Sequence, residues 1–427
     1  MKKLFPSALA FLAISFIVFE IWAAPANAGK EVVQPGLTFI KSSEGGRLYR
    51  ADKFDIVVLT GTYREMGRQY GALVGDKIRR FYEAGIENEV IKRGGLSYDQ
   101  LKTLMTDNAS KGFGKRQKDI LLGMSETSGL SLEKLYMVNM NLSAILLLRK
   151  VHGGTLGACT SMAAWGEFSR DGQLYTARDF DFPSCYRTFA ENFGTLVVFR
   201  PTDGSNAVAM LGLSGMVSFT DAFNSKGLYV EWNNGAFSAG LVMTGDRPSM
   251  LNSIVDLLFE ADDPESFNTR LMGMRTDYPI ILMLAAPSQA WYYEMSLETI
   301  KRRASGEPGL IVAANLFMHP GWEYLELPQS VAWFSSHRSG NFKALATARK
   351  GSIDVDGMKA ILDTPLFAAD GTIGKGAAVL ERVPAAGDEA TAFQVIASPA
   401  MKRMWLRIPT VTGWVPVDLA RLFAVEK

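Results

Sequence analysis

Apolar residues recur every three to four positions after Gly61-Thr62-Tyr63-Arg64-Glu65-Met66-Gly67-Arg68-Gln69-Tyr70-Gly71, at Leu73, Val74, Ile78, Phe81 and Tyr82. That spacing predicts a helix with one buried face. The same period returns over 97–105, 115–124 and 131–148. With one strand-like run ahead of them, 54–59, residues 30–158 read as mostly helical. The pattern then breaks at His152-Gly153-Gly154-Thr155-Leu156-Gly157-Ala158, a glycine-rich stretch that predicts a loop. From Cys159 onward the texture changes to short apolar and β-branched runs at 160–165, 174–177, 195–200, 207–211, 228–232, 280–285, 290–294, 310–313, 393–397 and 404–408. Helical stretches fall at 248–260 and 355–362. Strands in clusters, without regular alternation of strand and helix, predict an α+β fold.

Composition adds limits. With 48% apolar and 21% charged residues, the 427-residue chain can bury a large core. The 45 basic and 44 acidic residues nearly cancel, and no block of like charge stands out. Nucleic acid is therefore not an expected partner.

The first 28 residues are a separate object. Lys2 and Lys3 precede a mostly apolar stretch over 8–19, and Ala26-Asn27-Ala28 is a small-residue cleavage site. Glu20 ends the apolar stretch, and about 12 residues fall short of the roughly 20 that span a bilayer. This predicts export, a mature chain starting near Gly29 and a periplasmic or extracellular location, with an uncleaved anchor as the alternative. Cys159 and Cys185 are the only cysteines. In an oxidising compartment they invite a disulfide, but pairing would consume the one thiol with a chemical task.

That thiol is Cys159, at the head of Cys159-Thr160-Ser161. A predicted hairpin follows, and its second strand ends in Arg178-Asp179-Phe180-Asp181. A thiol with a reference pKa near 8.5 and an α-amine at about 7.7–8.0 on one residue give a nucleophile its own base. The chain must then cut itself between Ala158 and Cys159. Mirror counting about Arg170 sets Asp181 opposite Cys159. Asp181 would hold the α-ammonium and Arg178 favour the thiolate, although on spacing alone an Arg and an Asp at a strand end are more often a surface ion pair. Asn233-Asn234 and Asn315 follow strand-like runs and offer amides to an oxyanion, or simple turn chemistry. There is no HExxH, no CxxC and no phosphate-binding glycine loop. Asp179-Phe180-Asp181 lacks further ligands nearby, so neither metal nor cofactor is expected.

Several segments together resemble one family, the acyl-coenzyme A:6-aminopenicillanate acyltransferase-like (C45-type) Ntn hydrolases, and more distantly the choloylglycine hydrolase and acid ceramidase group. The segment from Leu59 to Gly71 looks like the family's "G-x-x-x-E-M-G-x-Q-x-G" helix. Gly157-Ala158-Cys159-Thr160-Ser161 with Trp165-Gly166 resembles its self-cleavage junction, and Ala177-Arg178-Asp179-Phe180-Asp181 its "G-R-N-x-D". Asn224-Ser225-Lys226-Gly227-Leu228 leading to Asn233-Asn234 is similar to its "N-x-x-G-L" strand and oxyanion asparagine. Ala313-Ala314-Asn315 resembles a second asparagine site, and Ser335-Ser336-His337-Arg338 an "S-x-x-R" segment. Ala158 and Asp179 depart from the Gly and Asn of those patterns.

The resemblance implies an Ntn-hydrolase four-layer αββα sandwich with a mostly helical N-terminal lobe. It divides the chain into a signal peptide over 1–28, a helical segment over 29–158 and a core over 159–427, the last two staying associated after cleavage. It further implies Cys159, Arg178, Asp181, Asn234, Asn315 and Arg338 as catalytic residues, and Ala158–Cys159 as the cleavage bond. The substrate class it implies is a linear, non-peptide amide, with water or an amine accepting the acyl group. Two other readings stay open: a lipid or ester hydrolase of the same fold, and an exported binding protein that has kept the fold without catalysis.

Overall fold

Strand β10 (Ile280–Ala285) reads Ile-Ile-Leu-Met-Leu-Ala and is buried at every position. A strand without polar alternation is covered on both faces, and this one lies inside a ten-stranded sheet. The computed structural model describes residues 34–103, 112–151, 158–240, 247–322, 329–380 and 388–424. The expected export signal, the glycine-rich run 152–157 and the end of the helix expected over 97–105 fall outside them.

The large sheet runs β1 (Thr38–Ser43), β2 (Gly46–Ala51), β3 (Phe54–Gly61), β6 (Gly194–Pro201), β7 (Val208–Leu213), β8 (Asp221–Asn224), β9 (Tyr229–Asn234), β10, β11 (Ala290–Met295) and β12 (Ile300–Arg303). All its neighbours are antiparallel except β3 and β6, which pair in parallel from Asp55↔Thr195 to Gly61↔Pro201. The smaller sheet runs β13 (Leu310–Ala313), β4 (Thr160–Gly166), β5 (Gly172–Pro183), β14 (Glu389–Ser398), β15 (Arg403–Arg407) and β16 (Val415–Asp418). Its β14 is also buried throughout.

The two sheets face each other. Cys159, Ala163, Phe180, Phe182, Phe393 and Val395 of the smaller sheet join the same core as Ile56, Val198, Trp232 and Leu282 of the larger one. Met162, Ala164, Tyr175 and Ala177 point the other way, into a second core with Phe342 and Ala346 of α9 (Gln329–Thr347) and Met358, Ile361 and Leu362 of α10 (Val355–Leu362). On the outer face of the larger sheet lies α1 (Tyr63–Phe81), followed by the π-helical α2 (Tyr82–Arg93), α3 (Lys115–Thr127) and α4 (Leu132–Val151). The expected αββα layering is thus present. α5 (Cys185–Phe193) packs against strands of both sheets, with Tyr186 and Phe189 meeting Phe182 and Phe81. The short α6 (Ala236–Ala239), α7 (Met250–Glu260), α8 (Pro264–Met272) and α11 (Leu419–Phe423) complete the set.

The N-terminal segment is less helical than its periodicity predicts. Strands β1 and β2 were not anticipated beside β3, because β1 is almost wholly exposed and carries no alternation. The helix with the glycine pattern is real, and Thr62 and Glu65 close a capping box at its start. Its glycines serve close packing: a Cβ on Gly67 would lie 2.0 Å from the Ile120 carbonyl oxygen, and one on Gly123 2.0 Å from that of Arg64. α1 and α3 therefore cross with their backbones in contact.

Candidate active site

The hairpin β4–β5 sets the site. Thr160 pairs with Asp179 and Ser161 with Arg178, and Ala158 N–H donates to the Asp181 carbonyl at 3.0 Å. Continuing that register puts Cys159 opposite Phe180 and Asp181 opposite Ala158. Mirror counting placed Asp181 one residue away from this. The turn is centred one residue earlier than Arg170, as Gly166↔Gly172 shows, and a register shift between Ala164 and Gly166 makes up only half of the difference. A one-residue offset changes the face of the sheet. The Cys159 thiol accordingly points between the sheets, while Asp179 and Asp181 project towards the α9–α10 layer.

Cys159 is buried, with 2% of its surface exposed. Both cysteines are free thiols. Its Sγ lies 3.6 Å from the Asp181 carbonyl oxygen and 4.0 Å from Arg178 Nη2. Burial pushes the thiol up to about 12, against the opposing charges of Arg178 and Arg338. Burial thus favours the neutral thiol at Cys159.

Arg178 is fully buried and bridges the sheets. Its Nη1 donates to Asp221 at 2.7 Å and to the Thr220 carbonyl at 2.6 Å, and its Nε lies 3.0 Å from Glu231. Ser161 Oγ donates to Glu231 at 2.6 Å, meets the Tyr292 hydroxyl at 2.9 Å, and accepts from Asn233 at 3.0 Å. Burial raises Glu231 to about 7, against the charge of Arg178 and the bond from Ser161. The sequence reading missed Glu231 and Asp221. Glu231 did leave a signal, as the single charge inside the apolar run 228–232.

Arg338, from α9, closes the other side. Its Nη1 donates to the Ala158 carbonyl oxygen, to the Cys159 carbonyl at 2.6 Å and to Thr160 Oγ1 at 2.7 Å. Its Nη2 donates to Asn315 Oδ1 at 3.0 Å and to Ser335 Oγ at 3.1 Å. Asn315 Nδ2 in turn donates to the Asn234 carbonyl at 2.9 Å. β13 pairs Ala313 with Ser161, so the same register carries Asn315 opposite Cys159. Asn234 Oδ1 accepts from the Ala236 amide at 2.8 Å, the turn bond that an asparagine makes at a strand end. Asn234 therefore reaches the cluster through its carbonyl and Asn315. A groove of about 580 Å³ opens beside this link at Ala314 and Ser335, with Leu316, Phe317 and Met318 on its wall.

Asp181 Oδ1 accepts from the Thr391 hydroxyl, and Asp179 Oδ1 accepts from Gln394 Nε2 at 2.9 Å. Burial raises both carboxyls, Asp181 to about 7 and Asp179 well above its ordinary range. The structure thus gathers Ala158, Cys159, Arg178, Asp181, Asn234, Asn315 and Arg338 into one buried cluster. Chemically it offers a thiol, a peptide carbonyl already held by a cation, and carboxyls kept near neutral charge.

No family profile matches the sequence, and no curated protein does. Among solved structures, the chain is similar to an N-acylethanolamine-hydrolyzing acid amidase ortholog from Caenorhabditis elegans. The identity is 13% and the TM-score 0.40, covering 57% of this chain and 93% of that one. It is similar at 12% identity and TM-score 0.40 to a conjugated bile acid hydrolase mutant from Clostridium perfringens, over 63% of this chain and 95% of that one. Penicillin V acylase from Agrobacterium tumefaciens is similar at 13% identity and TM-score 0.39, over 62% and 87%.

Proposed function

We propose that this chain is an exported cysteine hydrolase of the N-terminal-nucleophile type, which cuts itself between Ala158 and Cys159 and then acts on linear, non-peptide amides. The observation that carries the reading is the bond from Arg338 to the Ala158 carbonyl, next to the buried Cys159 thiol. A carbonyl that already accepts from a guanidinium is polarised for attack, and its developing oxyanion has a fixed counter-charge.

Cleavage begins with Cys159 Sγ attacking the Ala158 carbonyl. The C–S bond forms, the C–N bond breaks and the amide nitrogen becomes an amine. Water then hydrolyses the thioester and restores the thiol. The freed α-amine serves as the base for later turnovers, in which the substrate's acyl group passes to Sγ and on to water or an acceptor amine. Arg178, held by Asp221 and Glu231, favours the thiolate, and Asn315, bonded to Asn234 and Arg338, positions the guanidinium that meets the oxyanion. The apolar wall of the groove beside Ala314 and Ser335 suits an acyl chain. The parallel pairing of β3 with β6 supports a stable two-chain product, since strands from both sides of the cut share one sheet.

Denaturing electrophoresis with N-terminal sequencing of the purified mature protein tests the reading. Two fragments are expected, 29–158 and 159–427, the larger beginning Cys-Thr-Ser. Cys159→Ser should slow or stop the cut, and Cys185→Ala should leave it unchanged. A single uncut chain that hydrolyses amides through another residue overturns the proposal.

A further inference from the structure

Asp179 and Asp181 stand two residues apart on β5, so their side chains share the face turned to α9 and α10. Both are fully buried. Each spends one carboxyl oxygen on a neutral donor of β14, Gln394 or Thr391, and the Val379 backbone also helps to hold the Asp181 carboxylate; at full hydrogen-bond geometry the Oδ2 of each has no partner among the described residues. Two buried carboxylates side by side, each with a bare oxygen, do not both ionise readily, and a shared proton relieves the repulsion. The charged and titratable groups around them are Arg338 on α9 and Glu389 on β14, with Cys159 and Arg178 on the opposite face of the hairpin. Arg338 is the cation on their own face, and its hydrogen bonds go to carbonyls, hydroxyls and an amide rather than to either carboxyl. Across the hairpin, the Asp179↔Thr160 and Asp181↔Ala158 pairs bracket Cys159.

We propose that Asp179 and Asp181 form one proton-sharing carboxyl pair, which holds a single proton in the uncut chain and yields it as the Cys159 amine is freed. The inference rests on the cleavage proposed above. In the shift from nitrogen to sulfur, the thiol proton ends on the nitrogen and gives a neutral amine. The proton of the pair then converts that amine to an ammonium and leaves the pair doubly charged. Water next opens the thioester, restoring the thiol, and the Ala158 carboxyl releases its proton to solvent. Transfer within the cluster keeps its buried charge constant, so no uncompensated ion is created inside the protein. Asp179 is a positioning residue in this scheme: it acts through Asp181 on the charge state of the amine. With two carboxylates opposite it, the amine stays protonated to higher pH than with one, so Asp179 sets the acid limb of hydrolysis.

The test has two readouts. In uncut Cys159→Ala protein at pH 7, infrared difference spectroscopy reads the carbonyl stretch of protonated carboxyls. Asp179→Asn and Asp181→Asn should each remove the same band, in protein whose melting confirms a folded state. In the mature enzyme, Asp179→Asn should move the acid limb of the rate profile down by about one pH unit, tenfold in proton concentration. If Asp179→Asn removes no band, or the band assigned to the pair is removed only by Glu389→Gln or Glu231→Gln, the pair is overturned. An unshifted acid limb overturns its role towards the amine. Because the infrared measurement uses protein that cannot cut itself, it decides the pair even where the wild-type chain proves not to be an amidase.

Discussion

The Arg338 guanidinium donates to the carbonyl oxygen of Ala158, a residue 180 positions earlier in the chain. The contact is present in the continuous chain, with Ala158 and Cys159 joined. It couples the helical layer to one specific peptide bond, since the same nitrogen also holds the Cys159 carbonyl. Under the cleavage proposed above, this contact is the one that would hold the chain's own acyl group for attack.

Arg338→Lys separates charge from geometry. Lysine keeps the cation but loses the planar fork that reaches Ala158, Asn315 and Ser335 at once. Losing one preorganised oxyanion donor costs about 10²–10³ in rate. A time course of fragment appearance by denaturing electrophoresis should slow by roughly a hundredfold. Cleavage at the wild-type rate would remove Arg338 from the chemistry.

The α1–α3 contact makes a purely structural prediction. Gly67→Ala places a Cβ about on top of the Ile120 carbonyl, and backbone cannot yield as a side chain can. Forcing such helices apart costs about 1–3 kcal/mol. Gly340→Ala, on the exposed side of α9 with nothing within 4 Å, is the control. It should be neutral or stabilise by about 0.5–1 kcal/mol. Chemical denaturation of both variants checks the contrast.

The α+β class, the change of texture at Cys159 and most of the strands were legible because apolar periodicity is a local property, whereas the αββα layering entered through resemblance. α9 was not legible. Its buried face is Ser335, Arg338, Phe342 and Ala346, half of it polar, so no amphipathic stripe marks it as a helix. Cys159 and its hairpin were legible from residue type and turn spacing, but the register was not. The turn is centred at residue 169 rather than Arg170, and a bulge beside it moves the pairing back by one residue; sequence spacing carries no trace of either. Arg338 entered through resemblance alone, and its contact with Ala158 depends on how α9 docks on the sheet. Glu231 was visible as a stray charge within a strand, yet its partner Arg178 lies on the other sheet.

Arg178 is the only cation within bonding reach of both Asp221 and Glu231 among the described residues. Arg178→Met keeps length and removes charge, leaving two buried carboxylates uncompensated. Breaking a buried ion pair from one side costs about 3–5 kcal/mol. The denaturation midpoint should fall accordingly. Adding Asp221→Asn and Glu231→Gln to the same chain should recover part of the loss, because the orphaned charges are then gone. A triple variant no more stable than the single one would mean that packing of the guanidinium, not its charge, holds the sheets.

Glu231 also predicts the sign of a pH effect. Its carboxyl titrates near 4.3 in an unfolded chain, and burial raises it to about 7 in the folded one. Between those values the native state keeps a proton that the unfolded state has lost. Stability from this group is thus complete below the unfolded pKa and falls as pH rises through about 7. The slope approaches about 1.4 kcal/mol per pH unit where the two states differ by a full proton. The effect opposes the usual behaviour of ion-paired surface carboxylates, so a comparison isolates it. In a Cys159→Ala background, which removes the nucleophile for the cut, moving from pH 5 to pH 7 should cost the parent more stability than it costs the Glu231→Gln variant. Ser161→Ala should steepen the difference slightly, since the Ser161 hydroxyl holds the carboxyl down. Parallel stability curves for parent and Gln variant would place the Glu231 carboxylate in its ionised form throughout, with Arg178 carrying two full counter-charges.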